Sequence, residues 1–324
     1  MTIISICTLT TIKEAAKSLK QGNLVAFPTE TVYGLGADAT NKDAVARIYD
    51  VKGRPTGHPL IVHISSMSNL DKWARDIPDY AIILARAFWP GPMTLILPRT
   101  GLAKDFITGS QANIGIRVPA HPLALSLLQE FEALGGFGVA APSANRFGKV
   151  SPTNVEAVMA ELSDKLGIND LILDGGQSQI GLESTIIDCT NKIPQILRPG
   201  AVDSLMINSV IAGSMFQNIK YDNSKNIKTS GQLETHYAPL AQVFLNGEPK
   251  SGDGFIALSK FTTPSGAIRL ASPQNNVEFA KLLYSSLRKA DNEKIDKVFV
   301  IPPEGEGIAH AIRDRLQKCS TRKS

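Results

Sequence analysis

Apolar residues along the first two hundred positions fall into two alternating patterns. Short apolar runs bounded by turn residues predict buried strands at 24–27, 60–64, 93–97, 114–118, 138–141, 171–173, 185–188 and 195–197. Apolar residues that recur every three or four positions predict helices at 11–22, 41–50, 78–88, 122–133 and 153–165. Such alternation is typical of an α/β domain with a mainly parallel or mixed sheet.

Polar residues mark the predicted starts of three helices. Thr11 with Glu14, and Thr153 with Glu156, have the spacing of a capping box, in which two side chains bond to each other's backbone amides. Asn41 has the side chain expected before a first helical turn. We therefore expect these helices to begin at or beside these residues.

The apolar periodicity stops between about Met215 and Pro239, where a polar stretch rich in Asn and Ser predicts a linker or a long functional loop. Beyond it, strands are predicted at 243–245, 255–258, 268–270 and 298–301. Two helices have apolar faces made by Val277, Ala280, Leu283, Tyr284 and Leu287, and by Ile308, Ala311, Ile312 and Leu316. The sequence thus predicts a larger α/β domain over 1–212, a linker over 213–240 and a small α/β domain over 241–324.

Length and composition fit this two-domain organisation. The 324 residues suit two domains of roughly 150 residues each, and 43% hydrophobic with 20% charged residues is ordinary for a globular protein. No stretch reaches the roughly 18 uninterrupted apolar residues of a membrane span, and the N-terminus lacks a signal-peptide layout, so we expect a cytoplasmic protein. Cys7, Cys189 and Cys319 fit neither a disulfide framework nor a zinc site and are expected to be buried as small hydrophobic residues.

The net charge of +4, from 34 Lys and Arg against 30 Asp and Glu, raises the question of nucleic-acid binding. Basic and acidic residues balance over 1–240, and the last twelve residues alone account for the excess. The net charge therefore says little about a polynucleotide partner.

Two glycine-rich stretches resemble nucleotide-binding motifs without meeting their requirements. Gly34 and Gly36 lie some residues past the preceding predicted strand and have no acidic residue at the ribose spacing, so a glycine turn is expected there. The glycines of 176–181 have P-loop spacing, but Leu182 and Glu183 stand where Lys and Ser or Thr are required. Neither a dinucleotide fold nor a Walker site is predicted.

Cations and hydroxyl groups follow several predicted strands or helices. Arg117 lies in an apolar strand, where its charge requires an anionic ligand or a buried carboxylate. Lys52 and Arg54 end a helix, where they either bind a ligand or oppose the negative end of the helix dipole. Thr31 and Arg198 also follow or end strands, and ligands bind at such ends in open α/β sheets. We therefore expect a pocket for a small molecule with phosphate or carboxylate groups.

Six segments in a fixed order identify a family. They are TETVYGLG at 29–36, KGRPTGHPLIVH at 52–63, NIGIRVP at 113–119, APSANRFGKVSPT at 141–153, ESTIID at 183–188 and ILRPG at 196–200. Together they resemble the YrdC-like threonylcarbamoyl-AMP synthase family, and the HYAP sequence at 236–239 resembles its two-domain form. The resemblance implies a twisted, open mixed sheet with a positive concave face, followed by a small Rossmann-like α/β domain.

The resemblance also implies a reaction. L-Threonine, bicarbonate or CO2, and ATP with Mg²⁺ on its phosphates would give L-threonylcarbamoyl-AMP and pyrophosphate. A downstream threonylcarbamoyl transferase would use this product to make N6-threonylcarbamoyladenosine (t6A) next to the anticodon of tRNA. Whether the chain binds tRNA directly stays open.

The family motifs imply a role for each matching residue. Threonine would be held by Thr31, His63, Arg117, Ala141 and Ser184. ATP would be held by Lys52, Arg54, His58, Asn113, Ser143, Asn145, Ser151, Arg198 and Tyr237, with Lys52 and Arg54 as catalytic residues and Tyr237 as a lid. Glu183 could bind a metal or pair with an Arg, and no residue is identified as a general base.

Two other functions remain as alternatives. A non-catalytic tRNA-binding or RNA-binding protein could use the same positive face, but it would need aromatic residues between its cations. Aromatic residues make up 6% of the chain, and only Phe147 lies among the Lys and Arg motifs. Related carbamoyl-adenylate chemistry on another acceptor, as in hydrogenase maturation, is disfavoured because the flanking segments of those proteins are absent from this sequence.

Overall fold

The computed structural model describes residues 2–4, 8–211, 219, 227–229, 231 and 237–320. Most of the predicted linker, and Cys7, lie outside these residues. The described residues build two β-sheets, one before and one after the linker. The predicted α/β class is confirmed.

The first sheet is mixed and has ten strands within the described part of the chain. In order across the sheet they are β1 (Thr2–Ile4), β8 (Leu171–Leu173), β2 (Val25–Phe27), β3 (Gly34–Asp38), β7 (Val139–Ala140), β4 (Ile61–His63), β6 (Asn113–Arg117), β5 (Met93–Pro98), β9 (Thr185–Asp188) and β10 (Gln195–Arg198). β4 and β6 are parallel, and their last residues, His63 and Arg117, are register partners. The register therefore brings two predicted site residues together.

Eight helices pack around this sheet in the described part of the first domain. They are α1 (Leu9–Lys20), α2 (Lys42–Lys52), α3 (Leu70–Trp73), α4 (Asp79–Phe88), α5 (Asp105–Thr108), α6 (Pro122–Ala133), α7 (Val155–Leu162) and α8 (Ser204–Ile211). α2 begins after Asn41, whose side chain accepts hydrogen bonds from the amides of Asp43 and Ala44, as predicted. The hydrophobic pattern did not predict α3, α5 or α8, of which two have only four residues.

The two predicted capping boxes are wrong. α1 is capped by Thr8, whose hydroxyl accepts from the Thr11 amide, so the helix begins about one turn earlier than predicted. α7 is capped by Asn154, which accepts from the Ala157 amide, whereas the Thr153 carbonyl accepts from the amide of Ser178. In both cases the side-chain oxygen of a different nearby residue accepts from a free amide in the first turn of the helix.

Gly34 and Gly36 lie in strand β3 and not in the predicted turn. Neither has a positive φ, so glycine is required at these positions because it has no Cβ atom. A Cβ at Gly36 would come within 2.7 Å of Val139 and 2.8 Å of Phe27. β3 therefore needs glycine because strands β2 and β7 carry large side chains against its surface.

The second sheet is parallel, with the order β11 (Gln242–Phe244), β14 (Lys297–Val300), β12 (Gly254–Ile256) and β13 (Ile268–Ala271). Helices α9 (Asn276–Asn292) and α10 (Ile308–Ser320) contact each other and strands of this sheet. Most residues of the predicted faces are buried; Ile308 is only partly buried, and Val277, near the start of α9, is 61% exposed.

The basic C-terminal region includes residues that are not exposed tail charges. Arg315 lies in α10 and its side chain is fully buried. Cys189 and Cys319 are buried, as predicted, and neither is in a disulfide with a described residue. Among the described residues, no helix is both long enough and apolar enough to cross a membrane.

Candidate functional site

A cleft of about 550 Å³, which includes the solvent at its mouth, opens at the ends of strands β2, β4, β6 and β10. Nine predicted residues share it: Thr31, Arg54, His63, Arg117, Ala141, Ser143, Ser184, Arg198 and Tyr237. The sequence motifs from six segments therefore converge on one site.

Arg117 meets its requirement for a partner with the carboxylate of Glu30. Its Nη2 donates to Glu30 Oε1 at 2.5 Å, Nη1 donates to Thr31 Oγ1 at 2.9 Å, and Nε donates to the Gly91 carbonyl at 3.1 Å. A guanidinium has five N–H donors, so these bonds with described residues leave one donor on each terminal nitrogen. Arg117 can hold a second carboxylate without giving up Glu30.

Lys52 is buried behind the cleft and ties down the loop that follows β7. Its Nζ donates to the carbonyl of Ser143 at 2.6 Å and, more closely, to that of Asn145. Burial, and then the charge of Arg54, lowers the pKa of Lys52 well below its ordinary value. Lys52 therefore does more than cap its helix, because it fixes the loop that carries Ser143 and Asn145, called here the Ser-x-Asn loop.

The other two cations of the cleft are also enclosed. Arg198 is 3% exposed and donates from Nε to the Ser184 carbonyl at 3.0 Å and from Nη2 to Ser184 Oγ at 3.1 Å. Arg54 is 7% exposed, and burial lowers its pKa only to about 10, so it stays charged at neutral pH. Enclosed cations suit a small anionic ligand, whereas a polynucleotide needs cations spread along an exposed face.

His63 is buried at the end of β4 and is neutral near pH 7. Burial, and then the charge of Arg117, lowers its pKa from 6.5 to about 3. Its Nδ1 has no hydrogen-bond partner among the residues that the structure describes. A buried, orphaned polar atom in a cleft is the kind of group that a ligand satisfies.

The depressed pKa of His63 predicts a pH dependence of stability. Between about pH 6.5 and pH 3 the unfolded chain binds a proton at this residue and the folded chain does not, so stability falls as the pH falls through this window. The slope is up to about 1.4 kcal/mol per pH unit for one proton. His63→Gln should flatten this slope in urea titrations between about pH 6.5 and 5, where Glu183 stays ionised. Equal slopes for both proteins would contradict a neutral His63.

Glu183 pairs with an arginine, which settles one of the alternatives left by the sequence. Its Oε2 accepts from Arg315 Nε at 2.8 Å, and its Oε1 accepts from Ser151 Oγ at 2.6 Å. Burial alone would raise the pKa of Glu183, but Arg315 and Arg198 lower it to about 2. Ser151 is thus held by Glu183 at the back of the cleft and does not line it.

Tyr237, in the HYAP segment, closes one side of the cleft and is 1% exposed. Its φ of +63° is in the left-handed region that a tyrosine rarely adopts. The next residue, Ala238, donates its amide to the carbonyl of Gly148 at 2.9 Å. The described end of the linker is therefore fastened to the first domain.

The remaining predicted residues lie around the cleft. Asn113 lines a neighbouring cleft of about 310 Å³ with mostly apolar walls, which shares Ile61 with the first. Asn145 donates from Nδ2 to the carbonyls of Arg146 and Lys149 and keeps the loop in shape. His58 lines neither cleft; its ring packs edge-on against Phe147, with the ring centroids 5.4 Å apart.

The sequence did not identify Glu30, which pairs with Arg117, as a site residue. It did not identify Arg315, which pairs with the cleft residue Glu183, either. The side chain of Ala141, a predicted threonine-binding residue, is apolar, and its amide donates to the Ile61 carbonyl at 3.0 Å, so its own carbonyl is the group that could bind a ligand. Among the described residues, no three His, Cys, Asp or Glu side chains form a group that could hold a metal ion.

Comparison with known proteins identifies the family. Residues 17–200 match the Sua5/YciO/YrdC family described as telomere recombination, and 202–321 match the threonylcarbamoyl-AMP synthase C-terminal domain. Threonylcarbamoyl-AMP synthases from Pyrococcus abyssi and Bacillus subtilis are 38% and 37% identical, each over 95% of this chain and over 94% and 92% of their own lengths. The crystal structure of P. abyssi Sua5 complexed with L-threonine is 35% identical, with a TM-score of 0.87 over 99% of this chain and 98% of that one. The chain belongs to the threonylcarbamoyl-AMP synthase family, enzymes that make L-threonylcarbamoyladenylate.

Proposed function

We propose that the main cleft holds L-threonine and the phosphates of ATP, and that the chain joins them with bicarbonate or CO2 to give L-threonylcarbamoyl-AMP and pyrophosphate. The observation that carries this assignment is the convergence of three enclosed guanidinium groups, Arg54, Arg117 and Arg198, on one small cleft. Two anions must be brought together for this reaction, and guanidinium groups neutralise and orient both.

Threonine fits the wall formed by β4 and β6. The two remaining donors of Arg117 suit its carboxylate, and Thr31 and the neutral His63 lie beside them. The Ala141 carbonyl and the Ser184 hydroxyl complete the polar wall expected for the amino acid. The relative from P. abyssi, whose structure contains L-threonine, supports this assignment.

ATP fits the remaining wall. Arg54, Arg198 and Ser143 would face its phosphates, and Lys52 would act from behind the loop that it fixes. The neighbouring cleft, lined by Ile61, Ile96 and Ile186 with Asn113 at its edge, offers an apolar surface for the base. Its link to the main cleft through Ile61 supports one extended nucleotide site.

Magnesium would enter with the nucleotide as part of the substrate. Glu183 is the carboxylate among the described lining residues, and its oxygens already accept hydrogen bonds from Ser151, Tyr284 and Arg315. This donor set fits an ion held by phosphate oxygens, where Mg²⁺ commonly sits, better than one held by protein ligands.

The chemistry needs little covalent help from the protein. The threonine nitrogen attacks CO2 and loses a proton to give a carbamate; a carbamate oxygen then attacks the α-phosphorus in line, and pyrophosphate leaves. When bicarbonate is the carbon source, water is the additional product. The cations offset charge on the attacking and leaving oxygens.

The product is an activated carrier of the threonylcarbamoyl group. We infer that a separate transferase moves this group to the N6 atom of an adenosine in tRNA, and that both steps take place in the cytoplasm. The chain itself need not bind tRNA, since its cleft cations are enclosed.

Pyrophosphate release tests the proposed function. The purified chain with MgATP and bicarbonate should release pyrophosphate at least about tenfold faster with L-threonine than with serine or glycine, because the threonine methyl group adds apolar contact as well as correct positioning. Equal release with every amino acid, or without one, would contradict the assignment.

A further inference from the structure

Arg315 is a fully buried cation supplied by the small domain. It lies in α10, and its side chain has 0% exposure. Burial of a charged group without partners is costly, and this one has partners on both sides of the boundary between the two sheets. Within α10 it pairs with Asp314, which in turn pairs with Lys318 at 2.8 Å.

On the first-domain side, Arg315 contacts the back of the cleft wall. Its Nε donates to Glu183 Oε2 at 2.8 Å, and its Nη2 donates to the Pro199 carbonyl at 3.0 Å. Glu183 lines the cleft and precedes Ser184, whereas Pro199 follows Arg198. One guanidinium therefore ties the two wall segments to each other.

The same guanidinium also supports the lid residue. Arg315 lies over the Tyr237 ring, with 5.3 Å from Cζ to the ring centroid. Tyr284 of α9 stacks on the Tyr237 ring, with the two ring centroids 5.7 Å apart. Cys319 Sγ donates to the Tyr237 carbonyl at 3.1 Å. The small domain thus holds a tyrosine whose left-handed backbone costs roughly 1–2 kcal/mol.

Arg315 also offsets the negative charge of Glu183. Glu183 is an ionised carboxylate in a cleft that must receive a triphosphate, and an uncompensated carboxylate would repel it. The groups that face Glu183 are Arg315 and Tyr284 from the small domain, Ser151 and Arg198 from the first domain, and Tyr237 from the linker. Among the described residues, Arg315 is the cation that bonds directly to it.

We propose that Arg315 is a positioning residue for the nucleotide, which acts through Glu183 and Tyr237 and makes the small domain part of the ATP site. The proposal rests on the proposed function for the identity of the nucleotide. Arg315 does not line the cleft, so it has no contact of its own with the ligand.

The test compares Arg315→Met with Arg313→Met in the full-length chain. Arg313 lies in the same helix, but it donates to the carbonyls of Pro303 and Gly305 within the small domain. The KM for MgATP, the KM for threonine, kcat, the Kd for MgATP from calorimetry and the melting temperature are measured for each protein.

Arg315→Met should raise both the KM and the Kd for MgATP by about tenfold or more, because Glu183 loses the cation that bonds directly to it. Its KM for threonine should stay within about twofold, and Arg313→Met should match the wild type. A purely structural role would lower kcat and the melting temperature but leave the KM and Kd unchanged, and this result would overturn the proposal.

Arg315→Lys keeps the experiment decisive if Arg315→Met does not fold. Lysine keeps the charge but loses the fork that reaches Glu183 and Pro199 together, so a rise of about threefold in the Kd for MgATP is expected. A wild-type Kd in Arg315→Lys would overturn the proposal. If the wild type binds MgATP but releases no pyrophosphate with threonine, the proposed function fails, whereas the Kd values still decide the role of Arg315.

Discussion

Arg117→Met is expected to have two separable effects, loss of stability and loss of threonine binding. The substitution leaves Glu30 as a buried carboxylate, 5% exposed and without the cation that pairs with it at 2.5 Å. Breaking one side of such a pair costs about 3–5 kcal/mol, which is a large part of the stability of a typical domain. Threonine also loses two charge-assisted hydrogen bonds, worth about 1.5 kcal/mol each, so its affinity should fall about 100-fold.

The double variant Glu30→Gln/Arg117→Met separates these effects. Removal of the orphaned charge should restore most of the stability in urea unfolding, whereas threonine affinity in calorimetry should stay low. MgATP affinity should change by less than about threefold in both variants, since Arg117 lies on the threonine side of the proposed site. Recovery of threonine binding in the double variant would show that Arg117 serves only to neutralise Glu30.

Lys52→Met is expected to have the largest effect on turnover. The Lys52 Nζ fixes the carbonyls of Ser143 and Asn145 and lies near Arg54, behind the proposed phosphate site. Loss of a preorganised group that stabilises developing charge typically lowers kcat about 100-fold to 1000-fold. Threonine affinity should stay near that of the wild type, because Lys52 donates to Ser143 and Asn145 and not to the wall of β4 and β6 that carries Arg117.

Lys42→Met provides the matched control for Lys52→Met. Lys42 begins the same helix, α2, but is exposed to solvent. Its loss removes the same charge from the chain without touching the Ser-x-Asn loop, so kcat should be unchanged. A kcat for Lys52→Met within about twofold of the control would contradict the role of Lys52 in catalysis.

Arg117 and Arg315 show how far the sequence alone could predict the site. A charge inside the apolar run Ile114–Val118 predicted that Arg117 needs an anion, but Glu30 is 87 residues away in sequence, and only the folded sheet brings it close. Arg315 carries the same signal, because it lies on the apolar face of α10 together with Ile308, Ile312 and Cys319. Arg315 was counted only among the C-terminal charges, and its partner Glu183 is 132 residues away in sequence, so their ion pair was not predicted.

The secondary structure shows a similar division. Strong apolar runs such as 93–97 and 171–173 were predicted as strands at nearly the observed bounds. β3 was missed because Gly34 and Gly36 have low strand propensity, and the reason for glycine there is the approach of Phe27 and Val139 from neighbouring strands. Local preference could not predict a requirement set by tertiary packing.

Isotope labelling of the product tests the central claim most directly. The full-length chain is incubated with L-threonine, MgATP and bicarbonate in which the carbon is ¹³C, and the adenylate is analysed by mass spectrometry. The proposed reaction predicts an adenylate with the mass of threonylcarbamoyl-AMP, heavier by one neutron than the product from unlabelled bicarbonate. An adenylate that contains threonine but no label, or no threonine-dependent adenylate at all, would contradict it.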